Sequence, residues 1–389
     1  MPLTTYREAR PWARAIREAV VRRSMPPWHA DDATSPHFLN NRSLPESERT
    51  KLIAWVDGGA KGSESNAIPD PAKVEKSQWT LGQPDLIVRV PGYQVPKTGT
   101  VQYTFLVSPT QLKEDRWVAA AEWKIDKRNV VHHMNAFIRP EGSSYVKEAP
   151  VGKLYVASRE ERAARRDDER EVDRRQLLVG YEPGYRPIPW GPTRAKLLPA
   201  GSDIVLEIHY NPNGVDVTDY SELGLYFAKE PPAERVLTIS PADSKFTIPP
   251  FDPAYRSVTG ATLTSDVKLI SLQPHMHLRG KSYEIAVKYP DGRREVLLNV
   301  PKYDFNWQTT YFLKEPRVLP KGSQLECIAV FDNSRNNKWN PDPSVPVQWG
   351  DQSWEEMNIG FTEIAIDAKR DPEVAQLHGT TRAAPGGRR

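Results

Sequence analysis

Tyr283-Glu284-Ile285-Ala286-Val287-Lys288-Tyr289-Pro290-Asp291-Gly292, followed shortly by Glu295-Val296-Leu297-Leu298-Asn299-Val300, decides the fold class. Two runs rich in β-branched and aromatic residues flank a Pro-Asp-Gly turn. Proline presets one backbone dihedral there and glycine tolerates the positive one, so the runs predict a hairpin. The same pattern of short strands recurs outward in both directions, at 86–90, 101–107, 204–210 and 267–272, divided by Pro, Gly, Asn and Asp. The chain carries 36 prolines in 389 residues. Proline removes a backbone donor and breaks helix interiors, which opposes long helices over most of the length. Many short strands at this spacing argue for packed antiparallel sheets rather than alternating strand and helix units. The expected fold is mainly β, with two jelly-roll-like antiparallel β-sandwich domains preceded by a small helical unit.

The first sixty residues read differently. Helical spacing covers 13–21, and a second helix is expected over 46–56, with Ser43 as N-cap and Gly58-Gly59 past its end. Met25-Pro26-Pro27-Trp28-His29 between them has to be extended or turned. The expected division is a helical unit over 1–62, a polar linker over 63–78, a first β domain over 79–240, a second over 245–372, and a disordered tail over 373–389. The run 158–176, dense in Arg, Glu and Asp, reads as a solvated helix or mobile excursion, or as a charged partner surface.

Composition narrows the function. With 53 basic and 50 acidic residues the formal charge is only +3, which gives no electrostatic case for a nucleic acid partner. No apolar run approaches the roughly 20 residues of a membrane-spanning helix, so no membrane insertion is expected. The opening residues Met1 to Tyr6 lack the basic and apolar regions of a signal peptide. Cys327 is the single cysteine, which rules out an internal disulfide and a multi-thiolate zinc site. Any metal must then be held mainly by histidine, carboxylate or methionine. Of eight histidines, five fall in three tight motifs.

His275-Met276-His277 is the strongest signal. Residues two apart on a strand share a face, so both imidazoles reach one ion without backbone distortion. The plainer reading is a pair of packed histidines. His132 and His133 are neighbours, which diverge on a regular strand and can bind one metal only at a bend or bulge or through different ring nitrogens; otherwise one packs and one is exposed. His209 ends an apolar strand, where a histidine serves as a ligand or as a hydrogen-bonded rim residue. Met357 is a ligand candidate or core filler.

Taken in chain order, these motifs resemble the ascorbate-dependent type II copper monooxygenases, the family of peptidylglycine and dopamine hydroxylases, over about residues 79–370. Val130-Val131-His132-His133-Met134 resembles that family's histidine pair, and Leu206-Glu207-Ile208-His209-Tyr210 its third histidine. His275-Met276-His277 resembles the HxH of its second domain, and Glu356-Met357-Asn358 its methionine ligand. The resemblance implies two separate copper ions on two domains that face each other across a solvent-accessible cleft. One copper, held by His132, His133 and His209, would store and deliver an electron. The other, held by the catalytic set His275, His277 and Met357, would bind dioxygen and substrate. Imidazole suits both copper oxidation states and a thioether selects Cu(I), which agrees with that transfer. The implied reaction is hydroxylation of a C–H bond in a small molecule, with dioxygen and a one-electron donor such as ascorbate. Two rivals stand beside it: a copper-binding or electron-transfer protein without oxygenase activity, and a metal-free carbohydrate-binding array using the 11 tryptophans.

Departures from the family matter. Gln273 stands where the peptide enzyme has an arginine that grips the substrate carboxylate, so a peptide ending in glycine is not expected as substrate. Glu207 stands where that enzyme has a polar amide, and the lone Cys327 contrasts with disulfide-rich animal members, so the likeness is to bacterial relatives. Pro11-Trp12-Ala13, Met25-Pro26-Pro27-Trp28 and Trp55-Val56-Asp57-Gly58-Gly59 resemble the second half of a small cytochrome c domain, a unit found fused ahead of this copper core. That would make Met25 an axial haem ligand. Covalent attachment needs Cys-x-x-Cys-His, which this sequence lacks, so haem c is not expected in this chain. Either an upstream attachment motif lies beyond this start, or the unit has lost haem and packs Trp12, Trp28 and Trp55 against the β domains. The family resemblance implies a periplasmic or extracellular location.

Overall fold

The computed structural model describes residues 3, 5–62, 79–158, 160–161 and 176–370. The expected linker 63–78, most of the charged run 158–176 and the tail 373–389 lie outside the described residues. The protein is mainly β. The opening hairpin is present: Gly280–Lys288 pairs antiparallel with Arg294–Val300, and at the turn Gly292 adopts φ +87°, a conformation that glycine alone adopts without strain.

Two sandwiches share one long sheet. Its strands run in the order Leu86–Arg89, Glu222–Phe227, Arg116–Lys124, Arg194–Leu198, Glu234–Ile239, Asn358–Asp367, Val267–His275 and Tyr311–Leu319. The first half of this sheet packs on a five-stranded sheet that includes Thr104–Pro109, Asp203–Tyr210, Val131–Arg139 and Gln176–Tyr181. Val118, Trp123, Leu223 and Leu225 meet Met134, Ile138, Leu206 and Ile208 in that core. The second half packs on the four-stranded sheet Tyr255–Thr262, Gln324–Phe331, Gly280–Lys288 and Arg294–Val300, where Leu269, Leu319 and Ile364 meet Ile285, Leu298 and Phe331. Gln324–Phe331 alternates buried and less buried positions, as a strand with one face on a core does, whereas Val131–Arg139 and Asp203–Tyr210 are buried over most of their length. The seam departs from the antiparallel expectation, since Glu234–Ile239 runs parallel to Arg194–Leu198.

The N-terminal helices Ala13–Val21 and Glu46–Asp57 fall where the sequence puts them. Arg17 and Asp57 tie them together at 2.7 Å. The expected cap does not form: Pro45 occupies the N-cap position with no side-chain bond, because proline there already presets the entry dihedral. Between the helices the chain crosses onto the second sandwich. Trp28 is buried against Tyr311 with ring centroids 4.9 Å apart, and Phe38 is fully buried. The Leu39 backbone N–H donates to the Phe312 carbonyl at 2.7 Å, and Asn299 donates to Asp31 at 2.7 Å. Of the three tryptophans expected to pack, Trp28 does. Trp12 and Met25 are both about half exposed at the surface, and Trp55 donates to the Lys61 carbonyl at 2.9 Å.

Asn358–Asp367 sits centrally, hydrogen-bonded on one side to Glu234–Ile239 and on the other to Val267–His275. Gly360 in this strand backs onto Cys327, and a Cβ there would collide with Cys327 Sγ. Gly360→Ala should therefore destabilise the protein by about 1–3 kcal/mol, the usual range for overpacking a filled core. Adding Cys327→Ala should recover part of that loss. Urea midpoints of the two single variants and the double variant measure the coupling; simple additivity would rule out this clash.

Candidate metal centre

The His132 strand solves the problem of two adjacent histidines with a bulge. Val131 pairs with Tyr210 but His133 pairs with His209, so the register slips by one at His132. That slip turns both imidazoles the same way and places His133 directly opposite His209. The three form one cluster whose ligand atoms lie within 4.8 Å of one another, with ring centroids 5.0–5.3 Å apart. His275 closes the strand Val267–His275, and His277 lies just past it, with ring centroids 5.2 Å apart.

All five imidazoles are buried, none more than 8% exposed, and they form a single group. The rings of His133 and His275 are 6.4 Å apart. Phe305 lies between the two sets, 4.5 Å from His132 and 5.8 Å from His277. An open, solvent-accessible cleft between the sites was expected. In its place the sites abut, because the shared sheet draws the two sandwiches together at this level. Met357 is half-buried just before the strand Asn358–Asp367. His275 pairs with Ile359 across the ladder, where the pairing ends, and beyond it the two segments are linked through Glu356, the residue before Met357. The segment is held there by its backbone: the His277 N–H donates to Glu356 at 2.8 Å and the Arg279 N–H to the same carboxylate at 2.6 Å.

The hydrogen bonds show which ring nitrogens are spoken for. His275 Nδ1 meets Gln308 Oε1 at 2.6 Å, and His277 Nδ1 meets the Glu355 carbonyl at 3.2 Å. Each acceptor requires a proton on Nδ1, which leaves Nε2 as the lone-pair atom. Nε2 of His277, Nε2 of His132 and Nδ1 of His209 are buried with no hydrogen-bond partner. An unpaired buried polar atom costs about 1–3 kcal/mol, so three in one cluster fit the lone pairs of metal ligands. His132 and His133 share a contact of 3.0 Å between their Nδ1 atoms, which needs a proton on only one of them. Tyr103 stacks on His209 at 4.8 Å and places its hydroxyl 3.2 Å from His133 Nε2.

Electrostatics keep the cluster neutral. Burial pushes His132 and His275 down to about 4 and His209 down to about 3, with His132 and His209 lowered further by neighbouring imidazoles. His133 and His277 are held well below the ordinary value for the same reasons. Behind them, burial pushes the Glu356 carboxyl up to about 8, against the hydrogen bonds from Arg279 and His277. Tyr103, Phe305, Gln308 and Glu356 escaped the sequence reading. Glu356 adjoins a candidate ligand, which was a usable signal; the other three come from loops or from a residue just outside a strand.

No family model matches this sequence, and none of the curated proteins matches it. Among solved structures, the chain is similar to a subviral particle of VP2 from infectious bursal disease virus, with 10% identity and a TM-score of 0.21, over 75% of this chain and 74% of that one. It is also similar to PNGF-II, with 12% identity and a TM-score of 0.25, over 72% and 60%. The STIV MCP shows 10% identity and a TM-score of 0.20, over 63% and 92%. At scores this low the likenesses carry no argument.

The lowered imidazole values set the pH dependence of the metal-free protein. Folded values lie below the ordinary 6.5, so as pH drops through that value the unfolded chain takes up protons that the native cluster refuses. The histidine contribution should be full above about pH 7.5, while Glu356 and Glu182, whose carboxyls are raised to about 8 and about 7, weigh the other way as the pH falls. The histidine contribution should then fall by up to about 1.4 kcal/mol per histidine per pH unit, until His132 and His275 titrate near 4. By urea unfolding, His132→Asn should reduce the histidine part of the stability change between about pH 7.5 and 5.5 by about 1 kcal/mol relative to wild type; an unchanged difference would contradict neutral burial.

Proposed function

We propose that the protein is a copper-dependent monooxygenase that hydroxylates a C–H bond with dioxygen and a one-electron donor such as ascorbate. The observation that supports this most is the convergence of five neutral imidazoles on one buried group, with three of their nitrogens unpaired. His132, His133 and His209 would hold one copper; His275, His277 and Met357 would hold the other. Copper in these positions would supply the two one-electron steps that inserting one oxygen atom and forming water requires.

The chain's own residues do the rest. Gln308 and the Glu355 carbonyl fix the tautomers of His275 and His277, so that each presents Nε2 without reorganisation. Glu356 pins the backbone on either side of Leu278 and so holds the spacing of the HxH segment. Phe305 and Tyr103 wall the histidines off from water, which keeps the imidazoles neutral and available as donors. The thioether of Met357, as a ligand, would favour the Cu(I) state.

A second reading draws on the burial itself. A closed pocket with every imidazole covered suits a copper-binding or electron-transfer protein without oxygenase activity. Against it, Gln273 and Phe361 beside His275 line a cavity, which a carrier does not need. Purified protein should bind about two copper ions per chain, falling to about one in either His209→Ala or His277→Ala. The reduced protein should bind carbon monoxide and lose that binding in His277→Ala. Full copper retention in both variants would defeat the metal assignment, and two coppers with no carbon monoxide binding would favour the carrier.

A further inference from the structure

A cavity of about 70 Å³ lies between the sandwiches, room for roughly five water molecules or one small organic molecule. Its floor is one face of two paired strands, on which Ser271 lies opposite Glu363 and Gln273 opposite Phe361. Residues two apart share a face, so the same face continues to His275, whose ring is 6.1 Å from that of Phe361. The far wall comes from the first sandwich and includes Glu182, Trp190 and Lys196. The mouth is completed by Arg42 from the N-terminal segment and by Arg186.

The charges facing this cavity do not cancel. Lys196 is buried and ion-paired with Glu363 at 2.7 Å, and it also donates to the Leu177 and Leu178 carbonyls, so that pair is internally satisfied. Glu182 accepts from Thr310; burial raises its carboxyl to about 7, so that at neutral pH it carries only part of a charge. Arg42 is half-buried, donates to the Gly184 carbonyl, and is close enough to Arg186 to be repelled by it and to Glu182 to be drawn to it. Neither arginine makes an ion pair among the described residues. Two guanidinium groups thus face one weakly ionised carboxyl at the open end, above a floor with an aromatic ring. A guanidinium fork matches a carboxylate in shape and charge.

We infer that this cavity binds a small organic carboxylate, its charged group held by Arg42 and Arg186 and its apolar body lying along Phe361 toward His275. As the substrate site this rests on the hydroxylase reading; as an anion site it stands without copper. Gln273 gives its amide N–H to the Gln308 carbonyl at 3.1 Å and contributes no charge, so recognition of the anion falls to the mouth. The N-terminal segment is then part of the binding site rather than a separate module.

The test uses metal-free full-length protein and calorimetric titration with acetate, benzoate and 4-phenylbutyrate, each against its neutral amide. At least one acid should bind about tenfold tighter than its amide. Arg42→Gln and the exposed Arg186→Gln should each remove about tenfold of that affinity, while copper stoichiometry stays at the wild-type value. If no acid outbinds its amide, or if the exposed Arg186→Gln leaves the preference intact, the site is not as inferred. Because no copper is present in the titration, failure of the hydroxylase reading would show separately. In that case the acid binds through the arginines, yet the copper-loaded protein with ascorbate consumes no oxygen.

Discussion

The hydrogen-bond register of one strand, Asn358–Asp367, governs the molecule. It pairs with Glu234–Ile239 from the first half and with Val267–His275 from the second, so a single ladder joins both sandwiches into one sheet. Strand registers are all or nothing: a slip of one residue would send every side chain to the opposite face. The same ladder that buries Ile364 in the second core therefore fixes where His275 ends and how near it comes to His133. The histidine cluster is positioned by backbone pairing rather than by contacts among the imidazoles.

That placement has an energetic consequence. Five imidazoles removed from water cannot carry protons cheaply, and among the described residues none has a carboxylate hydrogen-bonded to its ring. The acidic neighbours act instead on the backbone, as Glu356 does at His277 and Arg279. A carboxylate on the ring would favour imidazolium strongly; the amide and carbonyl acceptors here fix the tautomer and raise the imidazole values only against the larger effect of burial. The centre is thus arranged to present lone pairs. Under the proposed copper reading, the metal ion would supply the charge that these lone pairs face. The Lys196–Glu363 pair nearby is the opposite case, two charges buried together and satisfied by each other.

Much of this was legible in the residues, for identifiable reasons. The hairpin at 283–300 announced itself through its turn chemistry, and the paired strands lie where alternation put them. A bulge at His132 was one of the ways open to neighbouring residues that point apart, and the register shift is that one. The joining of the sandwiches was not legible. Glu234–Ile239 reads as the last strand of a first domain, and nothing local in it specifies a parallel neighbour on one side and Asn358–Asp367 on the other. The abutting of the two histidine sets follows from that long-range pairing, so it escaped along with it. Ser43 looked like a cap because only its residue type was considered, while Pro45 two residues on already set the entry of the helix.

The way residues 38–40 lie along Tyr311–Leu319 bears on how the protein stays apart from its own copies. That strand is the last in the long sheet, and a bare outer strand invites another chain to add to it. Phe38 bridges Leu313, Leu39 bonds Phe312, and Asn40 both donates to Thr310 and accepts from Phe312. Part of the outer rim is thereby covered by the chain's own leading segment. Shortening the protein from its front would uncover that rim and favour self-association, even though every residue of both sandwiches remained in place.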